Sequence, residues 1–289
     1  MEFQNKKVLV TGANGYIGSC VVKTLLDLGV DVVAVDINDN NIDDRATIIK
    51  SNIFNIDNNE NLYEKYGRPD VCLHMAWIDG FVHKSDNHML YLSSHYAFLN
   101  NLMENGIKQV AVMGTMHEVG FYEGKVDENT PTNPLSMYGV AKNALRKAIE
   151  LKAESLDVYY QWLRCFYIYG NDDRANSIFA KILKSAAEGK DKFPFTTGQN
   201  AYDFIEISEL AKQLSLAVTQ NEVTGIINCC TGEPVKLADK VESYIKEHNL
   251  NIELEYGAFP DRPYDSKIIY GDATKIKKIV KKYENQKVK

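Results

Sequence analysis

Short apolar segments alternate with longer segments of helical periodicity along the first 165 residues. The apolar segments are KVLV, DVVAVD, DVCLHMAW, KQVAVMG and VYYQWLRC, and the helical patterns cover residues 16–28, 83–105 and 136–156. Segments such as VVAV and VAVM are apolar throughout, which is typical of parallel strands covered by helices on both faces. The alternation therefore predicts an α/β fold built on a Rossmann-type, doubly wound parallel sheet.

The pattern becomes less regular after residue 170, where a polar loop, a helical segment over 177–189 and several Pro and Gly residues follow. We interpret this part as a smaller, irregular α/β lobe. The predicted division is a doubly wound domain over residues 1–165 and a lobe over 166–289, some of whose strands and helices return to the first domain. The basic final segment, KIKKIVKKYENQKVK, is interpreted as a solvated helix end.

Composition limits the partners that the chain can have. With 289 residues, of which 45% are hydrophobic, it can form a substantial core. A net charge of -6 and a pI near 5.6 indicate no general affinity for nucleic acid or anionic membranes. The five cysteines lack CxxC spacing, so neither a disulfide framework nor a metal site is predicted. No signal peptide or membrane-spanning segment is evident, and we expect a cytoplasmic protein.

Three glycines separate the first predicted strand from the helix after it. In VLVTGANGYIGS, Gly12, Gly15 and Gly18 have GxxGxxG spacing, and glycines at this point let the chain approach a pyrophosphate at a helix N-terminus. The second strand ends at Asp36, where a carboxylate can bind an adenosine ribose and repel a 2'-phosphate. We therefore expect NAD(H). NADP(H) remains an alternative because Arg45 could reach a phosphate, and Asp36 could also simply begin a loop rich in turn formers.

A hydroxyl, a phenol and an amine are predicted to meet at the carboxyl ends of the strands. Thr115 follows one apolar segment, and Tyr138 and Lys142 lie four residues apart, on one face of a predicted helix. This set could protonate a carbonyl oxygen while hydride reaches its carbon. A neighbouring ammonium lowers the pKa of a phenol, so Lys142 is predicted to tune Tyr138. The alternative is that the two side chains merely share a helical face.

These segments, together with HMAW, YGVAK, WLRCFYIYG and DFIEISEL, resemble the extended short-chain dehydrogenase/reductase family of nucleotide-sugar epimerases, dehydratases and reductases. The resemblance implies a catalytic trio of Thr115, Tyr138 and Lys142. It also implies a C-terminal lobe that binds a nucleoside diphosphate sugar, and a homodimer formed through helices 83–105 and 136–156. The cofactor-binding residues that it implies are Gly12, Gly15, Tyr16, Ile17, Gly18, Asp36, Asn52, Ile53, Met75, Ala76, Trp77, Tyr138 and Lys142.

The residues after Thr115 depart from the pattern of one branch of the family. Family members that dehydrate a sugar have Asp and Glu there, whereas this chain has Met116 and His117. Because methionine cannot transfer protons, a dehydratase is not expected. Glu118 lies one position too late to project from the same place.

The substrate subsite departs from that of a standard UDP-galactose epimerase. Tyr167 replaces a substrate-contacting Asn, Tyr202 an Arg, Asn52 an Asp near the adenine, and Ser93 an Asn of a helix. Arg262 is a candidate contact for a diphosphate, because a guanidinium can bind phosphate oxygens through two hydrogen bonds. The predicted substrate residues are Trp77, His83, Met116, His117, Tyr167 and Arg262.

The pattern is most similar to reductases that act on 4-keto-6-deoxy sugars. It predicts NAD(P)H-dependent reduction of the C4 keto group of a dTDP-4-keto-6-deoxyhexose, giving a dTDP-fucose-type product for surface polysaccharide. No metal ion is needed for that chemistry. One alternative is an NAD-dependent nucleotide-sugar 4-epimerase. A second is a noncatalytic dinucleotide-binding sensor, since a dinucleotide fold does not by itself imply turnover.

Overall fold

The computed structural model describes residues 6–55, 60–170, 177–261 and 265–287. The strands are β1 (Lys7–Thr11), β2 (Asp31–Asp36), β3 (Thr47–Lys50), β4 (Val71–His74), β5 (Gln109–Thr115), β6 (Gly124–Val126), β7 (Tyr159–Cys165), β8 (Tyr167–Tyr169), β9 (Lys192–Pro194), β10 (Ala201–Glu206), β11 (Gly225–Cys229), β12 (Pro234–Lys236), β13 (Glu253–Glu255) and β14 (Ile268–Gly271). The α-helices are α1 (Tyr16–Asp27), α2 (Leu62–Lys65), α3 (Asn87–Leu90), α4 (Leu92–Glu104), α5 (Met137–Ser155), α6 (Ile178–Ala187), α7 (Ile207–Val218), α8 (Leu237–Glu247) and α9 (Thr274–Lys287). A 3-10 turn covers Met116–Glu118.

Seven parallel strands form the main sheet, in the order β11-β7-β5-β4-β1-β2-β3. Alternate residues of β1 enter two separate cores. Val8 and Val10 belong to the core that contains α1 and α7, whereas Leu9 belongs to the core that contains α4 and α5. Helices therefore cover both faces of the sheet, and the predicted doubly wound fold is confirmed. The strand order reverses between β1 and β4, and the carboxyl ends of these strands frame the crevice in which such folds bind ligands.

A second sheet contains β12, β10, β14 and β6 in that order, with β8 paired to β10. The buried carboxylate of Asp203 connects its parts, because it accepts hydrogen bonds from the Thr231 N–H and hydroxyl and from the N–H groups of Gly232 and Gly271. Two strands pair across the boundary that was predicted at residue 165. β6 precedes residue 165 and joins the second sheet, while β11 follows it and completes the main sheet.

Most predicted helices agree with the structure to within two residues, but the helix predicted over 83–105 is wrong at its start. Helical structure begins only at Asn87 and is interrupted at Tyr91. The Asp79 carboxylate accepts hydrogen bonds from the Ser85 hydroxyl at 2.6 Å and the Asn87 amide at 2.7 Å, which closes residues 79–86 into a loop. The short edge strand β3 was not predicted. No helix within the described residues is long and apolar enough to cross a membrane.

Candidate active site

The glycine loop after β1 packs too closely for side chains. Gly12 has φ +71, and a Cβ there would lie 2.6 Å from the Ala76 backbone nitrogen. A Cβ at Gly18 would overlap the carbonyl oxygen of Gly12, so α1 could not pack on the loop. Gly15 precedes α1 without a side-chain hydrogen bond at the helix N-terminus. A backbone cradle of this shape, next to a helix N-terminus, fits the pyrophosphate of a dinucleotide.

Asp36 connects the end of β2 to this loop. Its carboxylate accepts hydrogen bonds from the backbone N–H of Asn14 at 3.0 Å and of Ile37 at 2.7 Å. The carboxylate therefore lies beside the glycine loop, where an adenosine ribose would approach. Arg45, the residue that could have favoured a 2'-phosphate, is instead paired with the carboxylates of Asp27 and Asp43 at 2.8 and 2.7 Å.

Asn52 and Ile53 follow β3, away from the main cavity. The Asn52 side chain is exposed and accepts a hydrogen bond from the Phe54 N–H at 3.0 Å, whereas Ile53 is buried in the core. Neither position shows a contact of its own that indicates a ligand, so their proposed roles rest on the family resemblance.

A cavity of about 500 Å³ lies at the carboxyl ends of β1, β4, β5 and β7. The predicted site residues that line it are Gly12, Gly15, Tyr16, Ile17, Gly18, Met75, Trp77, His83, Thr115, His117, Tyr138, Lys142 and Tyr167. The structure adds residues that the sequence did not single out, namely Gly80, Phe81, Met113, Gly114, Cys165, Phe166, Ile168 and Ser177. Several of these lie at or just after the ends of β5 and β7, which was a usable signal in the sequence.

Some predicted site residues lie outside this lining. Met116 is buried in the hydrophobic core, and Asp36, Asn52, Ile53 and Ala76 do not line the cavity. Arg262 lies outside the described residues. Within the part of the chain that the structure describes, no group of three or more His, Cys, Asp or Glu side chains is arranged to hold a metal ion.

Tyr138 lies at the start of α5 under two imidazole rings. The His83 ring stacks on it with centroids 5.1 Å apart and an interplanar angle of 9°, and the His117 ring lies 4.3 Å from that of His83. The Tyr138 N–H donates to the His83 carbonyl at 3.1 Å, which holds the loop against the helix. The next residue must be small, because a Cβ at Gly139 would overlap the His117 carbonyl oxygen.

The pKa of Tyr138 is shifted in the direction opposite to the one predicted. Burial raises the pKa of its phenol well above the ordinary value, and the hydrogen bond with the Thr115 side chain offsets only part of that rise. Lys142 lies 6.0 Å from the centre of the Tyr138 ring, and burial lowers the pKa of Lys142 itself to about 7. Desolvation, the largest cause, thus sets the direction of the shift at Tyr138.

Glu118 faces the protein interior and not the cavity. Its Oε1 accepts hydrogen bonds from the Thr115 N–H at 2.7 Å and from the Trp162 indole N–H at 2.6 Å. Its Oε2 lies 3.4 Å from Arg146 Nε and 3.6 Å from Arg164 Nη2. The carboxylate therefore fixes the turn that presents Thr115, and it is not available to act on a substrate.

Comparison with known proteins agrees with this arrangement. Residues 8–230 match the NAD dependent epimerase/dehydratase family. The chain is 41% identical over 268 residues to dTDP-6-deoxy-L-talose 4-dehydrogenase (NAD(+)) of Aggregatibacter actinomycetemcomitans, covering 91% of this chain and 98% of that protein. It is 30% identical over 239 residues to an uncharacterized UDP-glucose epimerase of Bacillus subtilis (strain 168), covering 76% and 74% of the two chains.

Solved structures share the fold at lower identity. UDP-N-acetylglucosamine 4-epimerase from Methanobrevibacter ruminantium M1 superposes with a TM-score of 0.83 at 22% identity, covering 96% of this chain and 92% of that one. UDP-glucose 4-epimerase from Thermus thermophilus, solved with NAD, gives a TM-score of 0.80 at 20% identity, with 94% and 92% covered. With the cradle, the cavity and the matched residues together, the chain belongs to the NAD dependent epimerase/dehydratase family.

Proposed function

We propose that this chain is an NAD(H)-dependent oxidoreductase that interconverts the 4-keto and 4-hydroxyl forms of a dTDP-6-deoxyhexose, with reduction as the working direction. The observation that carries the proposal is the 41% identity, over 98% of its length, to an enzyme named dTDP-6-deoxy-L-talose 4-dehydrogenase. That name favours a 6-deoxytalose-type product over the fucose-type product that the sequence alone suggested. The cavity that brings Thr115, Tyr138 and Lys142 together supports the same chemistry.

The side chains of the trio have complementary tasks. When bound, NADH supplies the hydride for C4 of the sugar. Tyr138 donates its proton to the C4 oxygen, and its raised pKa keeps the phenol protonated at neutral pH for that step. Thr115 hydrogen-bonds the same oxygen and stabilises the negative charge that develops there. Lys142 would hold the nicotinamide ribose beside Tyr138 when the cofactor is bound.

The lining of the cavity argues against water elimination. Among the described residues that line it, none is Asp or Glu. Glu118 faces the interior and Met116 is in the core, so the described part of the lining contains no pair of carboxyl groups that could remove a proton and protonate a leaving hydroxyl. Carbonyl reduction instead uses the phenol, the hydroxyl and the amine that line the cavity, together with a nicotinamide cofactor.

We also propose that the chain forms a homodimer through α3, α4 and α5. Leu90 on α3 is 71% exposed and Leu151 on α5 is 65% exposed, and Met137 and Val140 are exposed on α5 as well. The α5 residues recur at helical spacing and so form one apolar strip on its outer face. Exposed apolar strips of this kind mark protein interfaces.

The test is an assay of purified protein with NADH, and separately NADPH, after addition of a dTDP-4-keto-6-deoxyhexose. Loss of NADH absorbance with an equal amount of 4-hydroxy product, identified by NMR, is the expected result. Tyr138→Phe should abolish turnover and retain NADH binding. Conversion between the 4-epimers of a dTDP- or UDP-hexose without added cofactor would replace the proposal with the epimerase. NADH binding without turnover of either sugar would favour the sensor.

A further inference from the structure

The Lys142 ammonium rests on the indole ring of Trp77. Its Nζ lies 3.8 Å from the ring centroid and donates a hydrogen bond to the Met113 carbonyl at 2.7 Å, and Lys142 is buried. Within the described residues, no Asp or Glu forms an ion pair with Lys142. A buried ammonium without a carboxylate partner needs other stabilisation, and the face of an indole is the aromatic surface best suited to give it.

The orientation of the indole is fixed by histidines. The Trp77 N–H donates to His88 Nδ1 at 3.0 Å, so the proton of that imidazole is on Nε2, which donates to the Val82 carbonyl at 3.0 Å. The His95 ring stacks on the indole, with centroids 4.2 Å apart and an interplanar angle of 14°. His88 thus accepts, through Nδ1, the only hydrogen bond that an indole can donate.

A hydrogen-bonded chain extends from His95 to β1. His95 Nδ1 lies 2.9 Å from His74 Nε2, and His74 Nδ1 lies 2.9 Å from the Thr11 hydroxyl. The Thr11 oxygen accepts hydrogen bonds from the N–H groups of Met75 and Ala76, so its own proton is directed to His74. Burial lowers the pKa of His74 to about 3, and it also lowers the pKa of His95. These imidazoles therefore support the indole without adding positive charge beside Lys142.

We propose that Trp77 is a positioning residue that holds Lys142 and stabilises its ammonium form, and that His88 fixes Trp77 for this task. The inference rests on the proposed function, since Lys142 acts on the cofactor. The titratable groups that face Lys142 from the elements packed around it are Tyr138 on α5, Glu118 in the 3-10 turn, Cys165 on β7, His74 on β4 and His95 on α4. His88 on α3 faces Trp77 and Tyr138.

The proposal predicts a shift in the pH dependence of turnover. Activity requires the Lys142 ammonium, so kcat/KM should fall as the pH rises through the pKa of Lys142, which is about 7. Loss of the aromatic face lowers that pKa further. Trp77→Leu should therefore move the basic limb of the curve of kcat/KM against pH to lower pH by about one unit. Trp77→Phe keeps an aromatic face and should move it less. Phe121→Leu is the matched control, because it removes an exposed aromatic side chain that does not line the cavity and should leave the limb in place.

His88 variants separate positioning from simple folding. In His88→Asn the amide oxygen can still accept the indole N–H, and we expect a basic limb close to that of the wild type. His88→Leu removes the acceptor and should shift the limb in the direction of Trp77→Leu. Equal profiles for His88→Leu and His88→Asn would remove His88 from the proposal.

A measurement without turnover makes the test independent of the substrate. The chain has two tryptophans, so 5-fluorotryptophan labelling gives two fluorine NMR resonances, and Trp77→Phe identifies the one from Trp77. We expect that resonance to titrate between about pH 6 and pH 9 and to lose the titration in Lys142→Met. Titration that persists in Lys142→Met would show that Lys142 is not its source and would overturn the inference, as would no titration in the wild type. Failure of the sugar assay alone would leave this result intact and refute only the proposed function.

Discussion

The Glu118 carboxylate accepts the indole N–H of Trp162 at 2.6 Å, with both side chains fully buried. Two guanidinium groups, those of Arg146 and Arg164, share its other oxygen. An ionic cluster thus lies directly beneath the turn that carries Thr115. Because these charges have no access to water, removal of one leaves the others uncompensated.

Glu118→Gln should be strongly destabilising. The amide oxygen can still accept hydrogen bonds, but the two buried guanidinium groups lose their carboxylate, which costs about 3–5 kcal/mol. Urea denaturation measures the loss. Glu150→Gln is the control, because Glu150 pairs with the same Arg146 at 3.8 Å but is 36% exposed, and it should cost below about 1 kcal/mol. Equal effects of the two variants would contradict the buried cluster.

Asp36→Asn should weaken the preference for NADH that we propose for this chain. The amide oxygen can still accept the Asn14 N–H, so the loop is kept, but the charge that repels a 2'-phosphate is removed. We expect the ratio of kcat/KM for NADH to that for NADPH to fall about tenfold, equivalent to ~1.4 kcal/mol. Asp39→Asn removes a charge from the same loop that is paired with Lys50, and its ratio should stay near that of the wild type. An unchanged ratio in Asp36→Asn would separate Asp36 from cofactor choice.

Lys142→Met should stabilise the protein most at low pH. The folded pKa of Lys142 is about 7 and the ordinary value is 10.5, so between these values the unfolded chain binds the proton that the folded protein has lost. The free energy of unfolding of the wild type therefore rises with pH through this window. Lys142→Met has no ammonium at this position and lacks this pH dependence. The advantage of Lys142→Met should shrink by ~2–3 kcal/mol between about pH 6 and pH 9 in urea denaturation. A constant advantage would mean that Lys142 keeps its proton throughout.

Leu151→Glu should convert the proposed dimer to a monomer. A carboxylate at Leu151, the most exposed apolar position of the strip on α5, would be buried without a partner when two copies associate. Sedimentation velocity measures the change in mass. Phe259→Glu introduces the same group at another exposed apolar position, outside these helices, and should leave the dimer intact. A wild-type monomer at micromolar concentration would refute the proposed interface.

The sequence predicted those features that depend on local pattern. The glycine spacing, Asp36 at the end of β2 and the four-residue separation of Tyr138 and Lys142 each follow from one element and its neighbour. The direction of the Tyr138 pKa was wrong because it depends on burial by residues distant in sequence. The start of the helix after β4 was wrong because a single carboxylate, Asp79, closes a loop that has helical periodicity.

The contact of Trp77 with Lys142 could not be predicted for a similar reason. It joins the end of β4 to α5 across more than sixty residues of chain, and no spacing rule connects them. The same holds for Glu118, whose partners come from α5 and β7. Side chains that act through tertiary contacts leave little signal in a single sequence.

The exchange of strands between the two sheets constrains how the chain can fold while it is synthesised. One edge of β7 stays unpaired until β11, with residues 225–229, leaves the ribosome, and β6 cannot pair until β14, at 268–271, has been made. Neither half can complete its hydrogen bonding before most of the chain exists, and contacts so distant in sequence slow folding. We therefore expect a nascent chain stalled before β11 to expose a sheet edge and to need protection from aggregation.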